Sequence, residues 1–572
     1  MTNLALARAF FEIADLMDLD GDNQFKANAY RKAARTIEAL PEDIKDVHDA
    51  GRLQDIPGIG PALAGKIREW ILTGSIKQLA SLRRRIPEEL VEITSIAGVG
   101  PKLAHRLHDE LGITNIDELE AACRKRQIRT LKGLGARTEW NVLRGIEAFR
   151  QREGQVLLGV AWPIAEEIKA HLEILPTVEA VHVMGALRRR EELVAGIELI
   201  VASSDPAQAL AQLADLPYAA SEVDIQNSNG NLLRGALQLR AGPRLEVAVS
   251  EPSAFPLALW QGTGTETHIE ALLTFAREHG FQIEDKGIWI DGKWVMPKSE
   301  HELYELIGLP FIPPEMRAGK GEIEVAVKDG LPILVELRDM RGDLHCHSRW
   351  SDGVLTLEEM ARAAQAKGYE YLAVCDHSQS LKIARGLDPE QLKEQHRDIL
   401  QIRERLGFNL LSGTEVDILA DGSLDLPDSV LARRDVVVAS IHSGFRQDEK
   451  QLTMRVMKAM ENPHVDIIGH PTGRLLGRRA PYAIDMEKIM EKAAKTGCVL
   501  EINASPDRLD LNDVHAQMAQ TLGVKIAINT DAHSRAELEN MYLGLSVARR
   551  AWLATDDVIN TWSWPAIQQY FS

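Results

Sequence analysis

From Gly342 onward, short apolar runs alternate with segments of helical period, and the alternation repeats seven times. The runs end in Leu344-His345-Cys346-His347, Val374-Cys375-Asp376-His377, Leu411-Ser412-Gly413-Thr414-Glu415, Ser440-Ile441-His442, Ile468-Gly469-His470, Leu500-Glu501-Ile502-Asn503 and Asn529-Thr530-Asp531-Ala532-His533. Between them, segments such as Leu357–Gly368 and Met486–Thr496 gather their apolar residues on one helical face. Strand-length runs followed by such segments predict an α/β barrel of seven strands. Barrels of this kind carry their chemistry at the C-terminal ends of the strands, where these polar residues fall.

On extended backbone, residues i and i+2 face the same side, so His345 converges with His347 and Asp531 with His533. Adding Asp352, His377, Glu415, His442 and His470 gives six imidazoles and three carboxylates, too many for one tetrahedral zinc and suited to two or three divalent ions. A lone histidine is ordinarily a surface or packed residue, but a set that tracks successive β-runs is not explained that way. The mixed donor set fits Mn²⁺, Zn²⁺ or Fe²⁺ better than Mg²⁺ or Ca²⁺, which prefer all-oxygen cages. Clustered ions activate a water near neutral pH and offset the charge of a pentacoordinate phosphorus, so phosphodiester cleavage needs no Ser or Cys nucleophile. The expected catalytic set is His345, His347, His377, His442, His470, Asp531 and His533, with Asp352 and Glu415 as further ligands. Cys346 and Cys375 should face away as buried thiols.

Composition widens this picture. A chain of 572 residues, 45% of them hydrophobic, holds several domains with cores of their own. No apolar stretch reaches membrane length, the first residues carry Glu12 and Asp15 without a basic leader, and the four cysteines show no paired spacing. A cytoplasmic protein in a reducing compartment, free of membrane contact, is expected. The net charge of −18 does not exclude nucleic acid, because residues 51 to 150 hold 17 Lys and Arg against 12 Asp and Glu.

That basic region repeats one element: Ile56-Pro57-Gly58-Ile59-Gly60-Pro61, Ile96-Ala97-Gly98-Val99-Gly100-Pro101 and Leu131-Lys132-Gly133-Leu134-Gly135-Ala136, each opening a helix. Glycines such as Gly58, Gly60, Gly98 and Gly100 let the backbone approach closely and leave helix N-terminal N–H groups for a phosphate oxygen, with no base read. Lys102, just after the second hairpin, would add charge. The third copy lacks the proline.

These strings identify a family. Gly342-Asp343-Leu344-His345-Cys346-His347-Ser348 with Ser351-Asp352-Gly353, Asp376-His377-Ser378, Gly413-Thr414-Glu415-Val416-Asp417, Ile468-Gly469-His470-Pro471-Thr472-Gly473-Arg474 and Asn529-Thr530-Asp531-Ala532-His533 resemble the polymerase and histidinol phosphatase (PHP) domain appended to bacterial family X DNA polymerases. The resemblance implies a metal-dependent phosphoesterase, a 3′ to 5′ exonuclease that also cuts at abasic sites, in a distorted (β/α)7 barrel. The first two hairpins resemble helix-hairpin-helix DNA-backbone elements. Phe25-Lys26-Ala27-Asn28-Ala29-Tyr30-Arg31-Lys32 resembles the small N-terminal domain of family X polymerases. It implies DNA contact by Lys26 and Tyr30 and puts Lys66 where relatives carry a lyase lysine.

In the middle of the chain, His182-Val183-Met184-Gly185-Ala186-Leu187-Arg188-Arg189 continuing to Gly196-Ile197-Glu198-Leu199 resembles the nucleotidyltransferase palm. There the family motif reads Gly-Ser, two basic residues, then Gly-Asp-hydrophobic-Asp, with a third Asp on a neighbouring strand. Here Ala186 replaces the Ser, and Gly196, Glu198 and Glu246 stand at the three acidic positions. A glycine offers no ligand, and each glutamate displaces its carboxylate by a methylene.

The expected architecture is multidomain α/β: a helical lyase-like domain over 1–90, helix-hairpin-helix fingers over 91–151, a degenerate palm over 152–255, a thumb over 256–318, a connector over 319–336 and the PHP domain over 337–572. The function expected is metal-dependent DNA exonuclease in repair, acting as a monomer on gapped or recessed ends. Alternatives are a working gap-filling polymerase with attached nuclease, a small-molecule phosphatase, and a DNA-end binder whose metals are structural.

Overall fold

The computed structural model describes residues 3–571 apart from 22–23, 39, 41, 87, 95, 97, 152–153, 217–218, 220–222, 228–231, 240–241 and 329. Ala97 of the second hairpin therefore lies outside the described residues. The chain divides into two compact units, Met1–Glu153 with Gly477–Ala480, and Gly154–Leu476 with Pro481–Ser572.

The first unit is helical among its described residues. Asn3–Leu19 and Gln24–Glu38 pack together, and Leu6, Phe10, Ile13, Ala33 and Ile37 close their shared core. The hairpin helices Pro61–Thr73 and Pro101–Leu111 each start with proline in the first turn, where its missing N–H costs nothing, and end on left-handed Gly74 and Gly112. In the hairpins Gly58, Gly98 and Gly133 hold φ of 87°, 90° and 82°, a conformation that selects glycine.

The second unit contains two sheets that matter for function. One has five strands: β1 (Val178–Val183), β2 (Ile197–Ser203), β3 (Asp224–Asn227), β4 (Leu232–Gln238) and β5 (Arg244–Ser250), ordered β1-β2-β5-β4-β3. Only β2 and β5 run parallel, which puts Glu198 directly beside Glu246. After this palm-like sheet come the helices Phe255–Gln261, Glu266–Glu278 and Glu300–Leu306. The stretch read as a connector is folded. Glu322–Lys328 is a helix, and buried Glu322 accepts hydrogen bonds from His268, Gly319 and Lys320. The periodicity of this seven-residue helix is too short to stand out beside three flanking glycines.

The other sheet is the barrel: β6 (Gly342–Cys346), β7 (Tyr371–Val374), β8 (Asn409–Asp417), β9 (Val436–Ser440), β10 (Ile467–Ile468), β11 (Val499–Asn503) and β12 (Ile526–Asn529), each parallel to the next in chain order. A parallel bridge from Cys346 to Ala532 brings the last segment back to the first strand. All seven expected runs are strands, and the expected helices form over Leu357–Ala366 and Met486–Thr496. The strands are buried on both faces, as a barrel wrapped by helices requires.

Candidate metal centre

Beyond the C-terminal ends of these strands the nine expected side chains meet. His345 and His347 leave the end of β6 on one side, their Nε2 atoms 3.2 Å apart. Asp531 and His533 arrive differently from expectation. Both lie past the end of β12, and Asp531 has φ of 53°, so a turned backbone rather than extended alternation delivers them. His470 likewise holds φ of 30°. Non-glycine residues rarely stay there, and two among the cage residues locate strain where donors must be aimed.

Glu415, near the end of the long strand β8, is the centre of the cage. His377 Nδ1 lies 2.7 Å from it, His470 Nε2 3.1 Å, His442 Nε2 3.3 Å and His345 Nε2 3.7 Å. Asp352 comes from a loop and sits 3.3 Å from His533 and 3.6 Å from His377, while Asp531 is 2.9 Å from His347. Three overlapping groups place their donor atoms within 4.8 Å of one another: His347, Asp352, His377 and His533; His345, His347 and Asp531; His377, Glu415 and His442. His347 and His377 each belong to two groups, so the three groups run together into one cluster.

The donors fit metal. His347 Nδ1 and His470 Nδ1 are buried without a hydrogen-bond partner, and His377 Nδ1 and Glu415 Oε2, though 2.7 Å apart, are not aligned for a hydrogen bond, which is costly unless something fills the cage. Burial disfavours the Glu415 carboxylate, yet His442, His377 and His345 hold its carboxyl well below the ordinary range. Burial also works against imidazolium, but Glu415 and Asp352 lift His377 to about 10, and Glu415 and Asp417 lift His442 to about 9. His347 goes the other way, down to about 4, through burial and the neighbouring His533 and His377. Protons thus serve as counter-charge that divalent ions would displace.

Supporting residues escaped the sequence reading. Glu501 on β11 takes His345 Nδ1 at 2.8 Å, the His470 backbone N–H at 2.7 Å and Asn529 Nδ2 at 3.0 Å, fixing His345 with Nε2 toward the cage. Asp417 does the same for His442 Nδ1 at 2.6 Å. Glu501 was visible in its run, and Asp417 stands two residues beyond Glu415 on the same face. The cage opens into a cavity of about 310 Å³ whose walls include Arg508, Leu381 and Ile383. Cys346 and Cys375 are buried, and burial pushes both thiols far up.

The palm acids form no such cage. No group of three metal-capable side chains includes them among the described residues. Glu246 is paired with Arg244 at 3.1 Å. Burial and neighbouring Glu246 raise the Glu198 carboxyl. A Cβ built on Gly196 would stand 2.7 Å from the Arg244 carbonyl oxygen, and one on Gly185 2.5 Å from Glu198 Oε1. The strand has closed over the space an acid at 196 would need. The two basic residues are engaged as well: Arg188 binds Glu300 and Thr263, and Arg189 donates to the Thr263 carbonyl.

In the helical unit Gly60 and Gly100 cap their helices with no side chain over the N-terminus and open space above them. Lys26 and Lys102 are exposed. Tyr30 is 7% exposed, its ring lies edge-on to Phe10 and its hydroxyl donates to Gln78, so it packs into the helical core. Lys66 is partly buried, with Nζ 3.4 Å from Glu69.

Known families match in the same order along the chain. Residues 1–76 match a helix-hairpin-helix domain, 90–147 a SAM-like helix-hairpin-helix tandem, 258–318 the DNA polymerase beta thumb and 343–505 the PHP domain. The tandem spans the third hairpin as well as the second. Part of this chain is similar to a "Probable phosphatase" of Thermoanaerobacter sp. (strain X514), 32% identical over 38% of this chain and 89% of that protein. A second "Probable phosphatase", from Syntrophotalea carbinolica, is 29% identical over 38% of this chain and 90% of its own. Over 99% of this chain and 98% of its own length, the DNA polymerase/3′-5′ exonuclease PolX of Bacillus subtilis (strain 168) is 38% identical. The chain belongs to that PolX family, the family X DNA polymerases that carry a C-terminal PHP domain.

Proposed function

We propose that this protein is a metal-dependent DNA 3′ to 5′ exonuclease whose chemistry resides in the barrel and whose polymerase-like region holds DNA without extending it. The observation that carries the reading is the contrast between nine converging donors, four of their polar atoms buried without a hydrogen bond, and a palm in which position 196 is blocked by its neighbour's backbone. Divalent ions held by His345, His347, Asp352, His377, Glu415, His442, His470, Asp531 and His533 would supply an activated water and counter-charge for phosphodiester hydrolysis. The chain's own part is positional. Glu501 and Asp417 set the imidazoles, and the hairpin N-termini grip backbone phosphates irrespective of sequence.

The named functions divide along the chain as 1–90, 91–151, 152–255, 256–318 and 337–572, with a structured bridge at 319–336. The substrate is a gapped or recessed duplex met during repair by a monomer. A small-molecule phosphatase is a second reading, favoured by the similarity to the two phosphatases, but it leaves three hairpins without a task. Metal analysis joined to assays on one end-labelled gapped duplex, with and without deoxynucleotides, separates the readings. Shortening from the 3′ end that requires Mn²⁺, Zn²⁺ or Fe²⁺ is expected. Extension in that assay, or cleavage of small phosphomonoesters but not DNA, would overturn the reading.

A further inference from the structure

We propose that Glu192, on the palm side of the second unit, is a positioning residue of the barrel site, acting through Arg474 on Arg508, which takes an oxygen of the scissile phosphate. The inference rests on the phosphodiesterase reading above. Arg508 lines the cage cavity, and its Nη1 is buried without a hydrogen-bond partner. Its Nε stands 3.9 Å from Asp531, beyond hydrogen-bond reach. That ion pair with Asp531 leaves the fork without a hydrogen bond on Nη1, and a planar guanidinium matches phosphate oxygens.

What holds Arg508 there does not belong to the barrel alone. Arg474 Nε donates to the Arg508 carbonyl at 2.9 Å, and Arg474 Nη2 donates to the carbonyl of Leu509. Leu509 has φ of 45°, a conformation a leucine keeps only where its surroundings impose it. Arg474 is nearly buried, and Nη2 lies 2.7 Å from Glu192 Oε1. That same oxygen receives Arg550 Nη2 at 3.1 Å, and the Glu192 carbonyl is fixed by the Leu158 N–H at 3.0 Å. One carboxylate from the palm side thus balances two barrel arginines. Without it, Arg474 would lose its direct carboxylate partner, keep only the neighbouring Asp510 as counter-charge and move toward water, releasing the carbonyls that shape the Arg508 turn. The nuclease site is therefore complete only while the two regions are docked.

The test uses the full-length, metal-loaded protein and bis(p-nitrophenyl) phosphate, which needs no DNA grip. Arg508→Ala should lower kcat/KM about 100-fold with metal content and melting temperature unchanged, and added guanidinium should restore part of the rate. Glu192→Gln should lower kcat/KM about tenfold, and the double variant should be no slower than Arg508→Ala alone, because both act at one point. Arg474→Lys, which keeps the charge facing Glu192 but loses the fork to two carbonyls, should reproduce the Glu192→Gln loss and serves if that variant does not fold. Multiplying losses in the double variant, parent-like rates in Glu192→Gln, or metal lost together with activity would overturn the assignment. A parent that leaves the diester intact under Mn²⁺ would sink the hydrolase reading instead.

Discussion

Glu198 in the palm and Glu415 in the barrel each stand on a strand beside a parallel neighbour, and each is withdrawn from water. Their surroundings make them opposites. Glu198 faces another glutamate across the register, so burial and like charge both push its carboxyl up. Glu415 is buried more completely, yet four imidazoles approach it and hold it ionised. Burial alone therefore does not make a metal site; the sign of the neighbours decides. The comparison also bears on the proposed loss of synthesis. At Gly196 the ligand is missing and the neighbouring carbonyl occupies its space, so the change is built into the packing rather than confined to one side chain.

The comparison breaks first at the barrel. Replacing His345 and His347 with alanine removes donors from two of the three groups. Hydrolysis of a 3′-labelled strand is expected to fall by about 10³-fold or more, while affinity for gapped duplex stays within about twofold. Parent-rate digestion by the double variant would place the chemistry elsewhere.

The palm supplies the next effect. With the nuclease silenced by those two substitutions, primer extension on a one-nucleotide gap should be undetectable with Mg²⁺ or Mn²⁺. Installing Gly196→Asp, Glu198→Asp and Glu246→Asp together should not restore it. The new Cβ meets the Arg244 carbonyl, and easing that contact costs about 1–3 kcal/mol, read as a lower melting temperature. Templated synthesis by the nuclease-silenced parent would make the palm a working polymerase site and erase the contrast, whereas synthesis by the triple variant alone would mean that the space beside the Arg244 carbonyl still opens to an acid.

How far the sequence revealed these two regions differs for physical reasons. The barrel was legible because each strand is a short apolar run that delivers a polar residue at or just past its end, so His345, His377, Glu415, His442 and His470 announced themselves. Glu501 and Asp417 did not, since an acid that orients a histidine looks like any other acid until distances are known. Asp531 and His533 were found for an incomplete reason, the left-handed turn at Asp531 being invisible to alternation. In the palm, the missing acid at Gly196 was plain, but the carbonyl filling its place was a matter of register between β2 and β5. The core role of Tyr30 was not legible either, since the resemblance that singled it out says nothing of its packing against Phe10.

A third, smaller effect separates chemistry from DNA handling. Gly58→Val and Gly98→Val place branched side chains at φ of 87° and 90°. Each should weaken binding to gapped duplex by about tenfold and flatten its salt dependence, because strained hairpins present fewer N–H groups to phosphate. Hydrolysis of bis(p-nitrophenyl) phosphate should be unchanged. Equal losses in both assays would mean that the hairpins also support the barrel's fold.

The smallest effect tests the sign of the electrostatics at the two glutamates. Because the folded-state pKa of Glu198 is raised, its favourable contribution is fully present below the ordinary glutamic acid value near 4.3 and is lost as pH rises through the raised value. Glu198→Gln removes that loss, so the metal-free variant should melt at or slightly above the parent above pH 6, by no more than about 1 kcal/mol, and the gap should close toward pH 4. Glu415 is lowered, so its contribution is present above the ordinary value and is lost only as pH falls through the depressed one. Glu415→Gln should therefore destabilise the metal-free protein at neutral pH and leave the histidines around it without their counter-charge. Thermal melts of both variants across pH 4 to 9 check the pair. If Glu198→Gln proved the more damaging at neutral pH, Glu198 would be an ionised, partnered acid, and the palm would have to be read as a site that still holds a cation.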